Sequence, residues 1–368
     1  MPWPKTIVEG KHEHFHRLTL APRSSWVDKV KAPMVVDAFP GFNEVDLAKF
    51  RIEYLANLVD RVVIGESSLT HSGKPKPLYF SEWLETCETW VKEKVEIVSI
   101  SLSLNDTSWG REISTRELLA KFLIDRYPND FFVLSDLDEI PSLDQIASLR
   151  KSSGIYHFKT PTSYRKSNWQ LRDEHSEWRR GVMGKVKHLP KLSNGGRFEK
   201  LELLDSAPGA HLSYFGADSS LVSEKYSALA HTELDHAHWK SPDLFKYCDY
   251  FRIDHLGRSR NSGFGVFLVV TKDENNVINS ISKHFPEHFD TGTKLPNNLL
   301  RIYASIYLTS YVRDSSISRM KRKAIRPAIY FGGRLSLWFF PPIIEVLFTI
   351  LAFLKRGIKR LYNQLRLG

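Results

Sequence analysis

The chain has 368 residues, 42% of them hydrophobic and 12% aromatic, which suits a sizeable core and excludes global disorder. Its length fits one large domain with an extension, or two domains. The formal net charge of +10 suggests nucleic acid until it is partitioned: residues 319–368 carry 11 Lys/Arg against the single acid Glu345, while residues 1–318 balance at 41 Lys/Arg and 41 Asp/Glu. A neutral body offers no broad phosphate footprint, so no nucleic-acid partner is expected.

In chain order, residues 1–32 read as a leader. The opening MPWPKTIVEGKHEHFHR has neither an apolar h-region nor a small-residue cleavage site, so no N-terminal secretory signal is expected. His12, His14 and His16 alternate there and are read as solvated rather than metal-binding. PMVVDA (33–38) is a buried strand, and residues 44–58 form a helix with Leu47, Phe50, Ile52, Leu55 and Leu58 near one stripe. A strand (59–66), a polar loop (70–77), a helix (81–92) and a strand (95–102) come next. Then come a helix (111–126) and a strongly apolar strand, DFFVLSDLDEIP (130–141). Apolar strands alternating with helices predict a mostly parallel central sheet flanked by helices. No Gly-x-Gly-x-x-Gly follows the first strand, which argues against a dinucleotide fold.

Further on, IYHFKTPTSYR, KVKHLPK (185–191) and GAHLSYF read as strands, 219–237 as a helix, 264–271 as a strand and 296–313 as a helix. Cys87 and Cys248 are too few for a disulfide framework and are expected as free thiols. Residues 335–354, LSLWFFPPIIEVLFTILAFL, are apolar but for Ser336, Glu345 and Thr349, and basic residues flank both sides. Pro341 and Pro342 kink such a helix, and Glu345 makes full burial in lipid expensive. A segment lying on or re-entering an anionic membrane surface is favoured over a span, and the competing reading is a helix packed on the body or on a second subunit. The expected location is therefore the cytoplasmic face of a membrane, peripheral or monotopic, and an oligomer is compatible with it. The expected organisation is a leader (1–32), a catalytic domain (33–250), its C-terminal extension (251–318) and the basic, apolar tail (319–368).

Asp136, Asp138 and Glu139 stand where the apolar strand ends. Ligands of open α/β sheets bind outside the carboxyl ends of strands. Two carboxylates spaced by one residue share a face in extended backbone and repel each other; a hard divalent cation relieves this through oxygen ligands. Such a metal also holds a diphosphate leaving group. The competing reading is a helix cap and a solvated acidic turn.

Five stretches, in order and spacing over roughly 37–235, carry a resemblance. They are DAFPGFNEVDLAKFRIEYLANLVDRVVIGESSLTHSGKPKPLYF (37–80), WGREISTRE (109–117), VLSDLDEIPS (133–142), GAHLSYFG (209–216) and KYSALAHTE (225–233). Together they resemble the glycosyltransferase family of the β-1,4-mannosyl-glycoprotein 4-β-N-acetylglucosaminyltransferase, which adds bisecting N-acetylglucosamine. The resemblance implies an α/β fold of GT-A type, a divalent metal (Mn²⁺ or Mg²⁺), a nucleoside-diphosphate sugar as donor, a glycan or glycolipid acceptor and inversion at the sugar carbon. The family carries Gly-Trp-His where this chain has Gly209-Ala210-His211, so an indole is absent, which weakens any carry-over of acceptor identity.

Asp136 and Asp138 form the candidate metal and diphosphate pair, with Asp136 also within reach of ribose, and His211 is a further metal ligand or else a core histidine. Glu66 ends the second strand and is a candidate for base or ribose. Lys74, in the following loop, is a candidate for phosphate. Arg111 and Arg116 open the helix before the acidic strand; Arg116 pairs with the carboxylates or clamps phosphate. An inverting transfer needs one general base, for which Glu139, Asp173 and Glu177 are candidates, with Glu174 beside them. Tyr164, Trp169 and Trp178 are aromatics against which sugars could pack. Asn43, Glu44 and Asp46 read as caps of the first helix. The expected function is sugar transfer in cell-surface polysaccharide or glycoconjugate synthesis. The competing classes are a phosphoryl or nucleotidyl transferase on the same acids and an inactive glycan-binding module.

Overall fold

The computed structural model describes residues 32–170, 177–232, 235, 240–254, 267–269, 275–291, 301 and 304, and the fold and the site belong to the unit beginning at Pro33. The His-containing leader, Asp173, Glu174, most of the expected 296–313 helix and the whole basic tail lie outside the described residues.

The first half is an alternation of strands and helices. It runs β1 (Val35–Pro40), α1 (Val45–Leu55), β2 (Arg61–Glu66), α2 (Tyr79–Glu85), α3 (Thr89–Lys94), β3 (Val95–Ser99), α4 (Ser108–Arg126) and β4 (Phe131–Leu134). These four strands lie parallel in the order β4-β1-β2-β3. Their side chains alternate between two cores, so near-continuous apolar runs are buried on both faces. Val35, Phe39, Val62, Ile64, Phe131 and Val133 meet α1 on one face. Val36, Ala38, Val63, Phe132 and Leu134 meet Leu119 and Leu123 of α4 on the other. Thr107 opens α4 by accepting from the Gly110 N–H at 2.9 Å, a side-chain cap for an otherwise orphaned donor.

The acidic strand expected over 130–141 is two strands. After β4 the chain turns, with the Glu139 N–H donating to the Asp136 carbonyl at 3.0 Å, and re-enters a second sheet as β5 (Glu139–Ile140). Asp136 and Asp138 therefore sit on a turn, not on one face of an extended strand. The capping box of Ser142 and Gln145 then starts α5 (Leu143–Leu149).

The remaining elements are β6 (Ile155–His157), β7 (Thr160–Tyr164), β8 (Trp169–Gln170), β9 (Glu177–Trp178), β10 (Val182–Lys185), β11 (Glu202–Leu203), β12 (Ala210–Ser213), α6 (Ser219–Ala228), α7 (Pro242–Phe251), β13 (Leu268–Val269) and α8 (Asn276–His284). β10, β6 and β11 extend the first sheet beyond β4, and β10 runs antiparallel to both its neighbours. The second sheet has the order β13-β8-β7-β12-β5, with β9 on β7. The result is a mixed α/β architecture. α8 returns to the main core through Val277, Ile278 and Ile281.

Two local expectations change. The helix expected over 81–92 is the pair α2 and α3, divided around Glu88, whose backbone is extended (φ −61°, ψ 155°). Residues 186–191, expected as strand, form a 3-10 helix containing Pro190, which has no N–H for a strand ladder. Cys87 and Cys248 are free thiols, as expected. Among the described residues no helix is long and apolar enough to cross a membrane.

Candidate active site

The acidic turn is held from beneath by Arg51, a fully buried guanidinium on α1. Its Nε and Nη2 donate to the two carboxylate oxygens of Asp37 on β1 at 2.8 and 2.6 Å. Its Nη1 donates to the carbonyls of Asp136, Leu137 and Glu139 at 2.8, 3.0 and 3.1 Å. Nη2 also donates to Ser135 Oγ at 2.9 Å. A tight turn at the edge of a core leaves carbonyls without a ladder partner, and one guanidinium supplies three of them with a donor.

Above this base the carboxylates diverge. Asp136 lies between two arginines: Arg116 of α4 reaches one oxygen and Arg197 the other, each at 2.7 Å. Burial pushes the Asp136 carboxyl up, but the two guanidiniums outweigh it and hold it well below the usual carboxylate range. Glu139 is fully buried. It accepts from the Trp178 indole, from Arg197 at 3.1 Å and from the Asp136 N–H at 3.2 Å, and burial raises its pKa. Asp138 has no such arginine. Its pKa is pushed up to about 8, first by burial and then by the charges of Asp136, Glu44 and Glu139, against the opposing pull of Lys225. The nearest imidazole nitrogen, His211 Nε2, stands 3.7 Å from Asp138 Oδ2. Thr162 Oγ1 lies 3.3 Å from His211 Nδ1, and the Trp178 ring packs on the imidazole at 4.9 Å.

Asp136, Asp138, Trp178 and Arg197 open into a cleft of about 400 Å³, which Glu139 and His211 do not line. One part of its lining comes from the ends of β1 and β2 and from α4: Gly41, Gly65, Ser67, Thr70, Thr115 and Arg116. The other comes from the second half of the fold: Trp178, Arg180, Arg197, Phe198 and Lys225. Asp136, Leu137 and Asp138 lie where the two meet.

Several residues singled out in the sequence fall elsewhere. Glu66 does not line the cleft; its carboxylate accepts from the Phe80 and Ser81 N–H groups at 2.7 and 2.9 Å, and so satisfies the N-terminus of α2. Lys74 pairs with Asp235 at 3.1 Å on the surface. Arg111 donates to the carbonyls of His71, Ser103 and Asp106 and fastens two loops. Glu139, a candidate base, is enclosed among its donors and has no open path to an acceptor. Tyr164 and Trp169 are core residues, stacked on Phe267. Glu44 occupies the N-cap position of α1 without capping it; its carboxylate pairs with Lys225 instead. Glu44, Arg116, Asp136, Asp138 and Trp178 do line the cleft. Glu177 lies in β9, next to Trp178.

Sequence reasoning missed Arg51, Arg180, Arg197 and Lys225. Arg51 and Lys225 lie within two of the stretches that carry the family resemblance, but nothing local in the sequence assigns a role to any of the four, since each acts through partners distant in the chain. The absent indole at residue 210 also takes on a different meaning. Ala210 is buried in the main core, and the indole beside His211 comes from Trp178. Gly209 before it is required, because a Cβ there would collide with the Ile140 carbonyl.

A model of the family described as Glycosyltransferase family 17 matches residues 4–234. The chain belongs to that family. Similar proteins are the β-1,4-mannosyl-glycoprotein 4-β-N-acetylglucosaminyltransferases of Homo sapiens and Rattus norvegicus, each 31% identical over 129 residues, and that of Mus musculus, 30% identical over the same length. The match covers 33% of this chain and 24% of each relative, so it spans about a quarter of the relatives' length. The acidic turn, both its arginines and the cleft lining all lie inside the residues the family model matches.

A family metal was expected on Asp136, Asp138 and His211. Among the described residues no three His, Cys, Asp or Glu side chains converge on one point. Asp136 does not fit the role, because both its oxygens are held by guanidiniums. Asp138 and His211 do fit: an oxygen and a nitrogen donor stand side by side, and a buried carboxylate with a raised pKa is a group that a cation stabilises.

Proposed function

We propose that the protein transfers a sugar, N-acetylglucosamine or a related hexose, from a nucleoside-diphosphate sugar to a glycan hydroxyl with inversion, on a domain of GT-A type. The observation that carries this reading is the unequal carboxylate pair at the end of β4, one member locked between arginines and the other poised beside a histidine. Asp138 and His211 would hold Mn²⁺ or Mg²⁺, which supplies Lewis-acid stabilisation of the departing diphosphate when bound.

The chain's own residues have distinct tasks. Arg51 and Asp37 fix the turn. Asp136 and Glu139 orient Arg116 and Arg197 toward the cleft, where guanidiniums complement phosphate oxygens. The turns after β1 and β2 and the face of α4 would receive the nucleotide, and Trp178 with its neighbours would receive the acceptor. The base that removes the acceptor proton we assign to the segment 173–177, which leads directly into Trp178. Asp173→Asn and Glu177→Gln test this: one of them should lower kcat by at least about a hundredfold. If neither does, the base lies elsewhere.

The acceptor belongs to a cell-surface polysaccharide, glycolipid or other glycoconjugate. The tail 319–368 would bring the enzyme to an anionic membrane on its cytoplasmic face, where such precursors are built. Truncation before Arg319 should release the body from sedimenting membranes, and retention would refute this role of the tail.

A donor screen of the purified full chain with Mn²⁺ or Mg²⁺, reading free nucleoside diphosphate, tests the function itself. Hydrolysis or transfer with one donor, abolished by chelator and by Asp138→Ala, is expected. Activity indifferent to both would overturn the metal assignment, and phosphate or nucleotide transfer without movement of sugar would overturn the reaction class.

A further inference from the structure

Five cationic side chains of lysine or arginine line the cleft: Lys76, Arg116, Arg180, Arg197 and Lys225. Four have carboxylate partners. Lys76 lies 4.0 Å from Glu66, Arg116 pairs with Glu112 and Asp136, Arg197 with Asp136 and Glu139, and Lys225 with Glu44. Arg180 differs. Among the described residues its guanidinium faces no carboxylate, and its one hydrogen bond is a long 3.4 Å donation to the Arg197 carbonyl.

Its surroundings are aromatic. The guanidinium carbon lies 5.0 Å from the centre of the Phe198 ring and 6.0 Å from that of Trp178. Phe198 lines the cleft and is 61% exposed, a large apolar face left open to solvent. Trp178 in turn packs on His211, which stands beside Asp138. The pair is thus connected to Asp138 through one indole and one imidazole.

An open aromatic face suits the C–H face of a sugar ring. A half-buried guanidinium stacked on such a face, with no carboxylate partner among the described residues, has donors for a planar carboxylate or a phosphate ester. Resting on the glycosyl-transfer reading above, we propose that Arg180 and Phe198 form the acceptor subsite and select an acidic glycan, one carrying a carboxylate or phosphate on the sugar at or next to the accepting residue. Phe198 covers the ring, Arg180 reads the charge, and Trp178 sets their distance from Asp138.

The test uses the full chain and a matched pair of probes: a uronic-acid-containing tetrasaccharide and the same tetrasaccharide with its carboxyls reduced to primary alcohols. Binding is read by Trp fluorescence and by saturation-transfer NMR, which need no turnover, and transfer is read separately. Wild type should prefer the acidic probe by about tenfold or more, the range of a charge-assisted hydrogen bond. Arg180→Gln should collapse that preference to within about twofold, Arg180→Lys should restore part of it, and Phe198→Ala should weaken both probes alike while Phe198→Tyr restores them. No preference in wild type, or a preference that survives Arg180→Gln, overturns the proposal. If Arg180→Gln instead raises the KM for the nucleotide-sugar donor, the guanidinium serves the donor diphosphate and the acceptor assignment is wrong while sugar transfer stands. Acidic-glycan binding with no sugar transfer from any donor would leave the subsite and remove the enzymatic reading.

Discussion

On the strand-end side of the cleft, parallel strands stop in short turns, and the backbone is fixed by ladder hydrogen bonds and by a core on each face of the sheet. On the opposite side, Trp178 comes from a two-residue strand, Arg180 from the link between β9 and β10, and Arg197 and Phe198 from the turn after a 3-10 segment (193–196), and their places are set by side-chain contacts. The first side is a scaffold to which polar residues were added. The second is held to the scaffold largely through the acidic turn, because Arg197 and Trp178 both end on Asp136 or Glu139. A carboxylate in such a turn therefore organises the cleft before any ligand arrives.

The comparison can be broken most severely at Arg51. Arg51→Met leaves Asp37 buried and unpaired and takes one donor from each of three turn carbonyls, so denaturant unfolding should show a loss of about 3–5 kcal/mol. A loss under about 1 kcal/mol would mean that the turn is held some other way. The next test is pH. Burial lowers His71 from 6.5 to about 4, so the unfolded chain binds a proton there before the folded one does. Stability contributed by this neutral histidine is present above about pH 6.5 and is lost as pH falls toward 4, on the order of 2 kcal/mol. His71→Gln should flatten that part of the thermal-stability profile, and an unchanged slope would place the titration in another group.

Trp178→Phe keeps the ring beside His211 but removes the donor to Glu139. It should cost about 1–2 kcal/mol and lower kcat more than it raises the donor KM, a split that steady-state kinetics resolves. The smallest expected effect separates the two sides of the cleft most sharply. Glu66→Gln weakens the N-terminus of α2 by about 1 kcal/mol, and the donor KM should stay within about twofold. A tenfold rise in KM would return Glu66 to the donor site that its place in the sequence suggested.

The legible parts of the molecule were those with local causes. α1, α4 and β1 to β3 follow from apolar periodicity and from turn residues a few positions away, and Asp136, Asp138 and Arg116 could be singled out because a strand visibly ends in acids. Illegible were groups whose chemistry depends on distant partners. Arg51 sits within an amphipathic helix, where a charged residue reads as solvent-facing, yet its partners are 14 and about 85 residues away. Glu66 looked like a strand-end ligand until the N–H groups of α2 were placed over it. Tyr164 and Trp169 looked like aromatics for a sugar ring until Phe267 packed against them.

The sequence by itself determined the class of the fold, the position of the acidic cluster and the family, because hydrophobic alternation and a contiguous motif are properties of neighbouring residues. Only the tertiary structure decided what each carboxylate does. Asp136 and Asp138 are the same residue type two positions apart, and composition cannot tell them apart. One is held ionised between Arg116 and Arg197, while burial drives the other up to about 8 beside His211. That difference is a matter of which charges the fold brings within a few ångströms, and Coulomb's law acts on distance in space, not on distance along the chain.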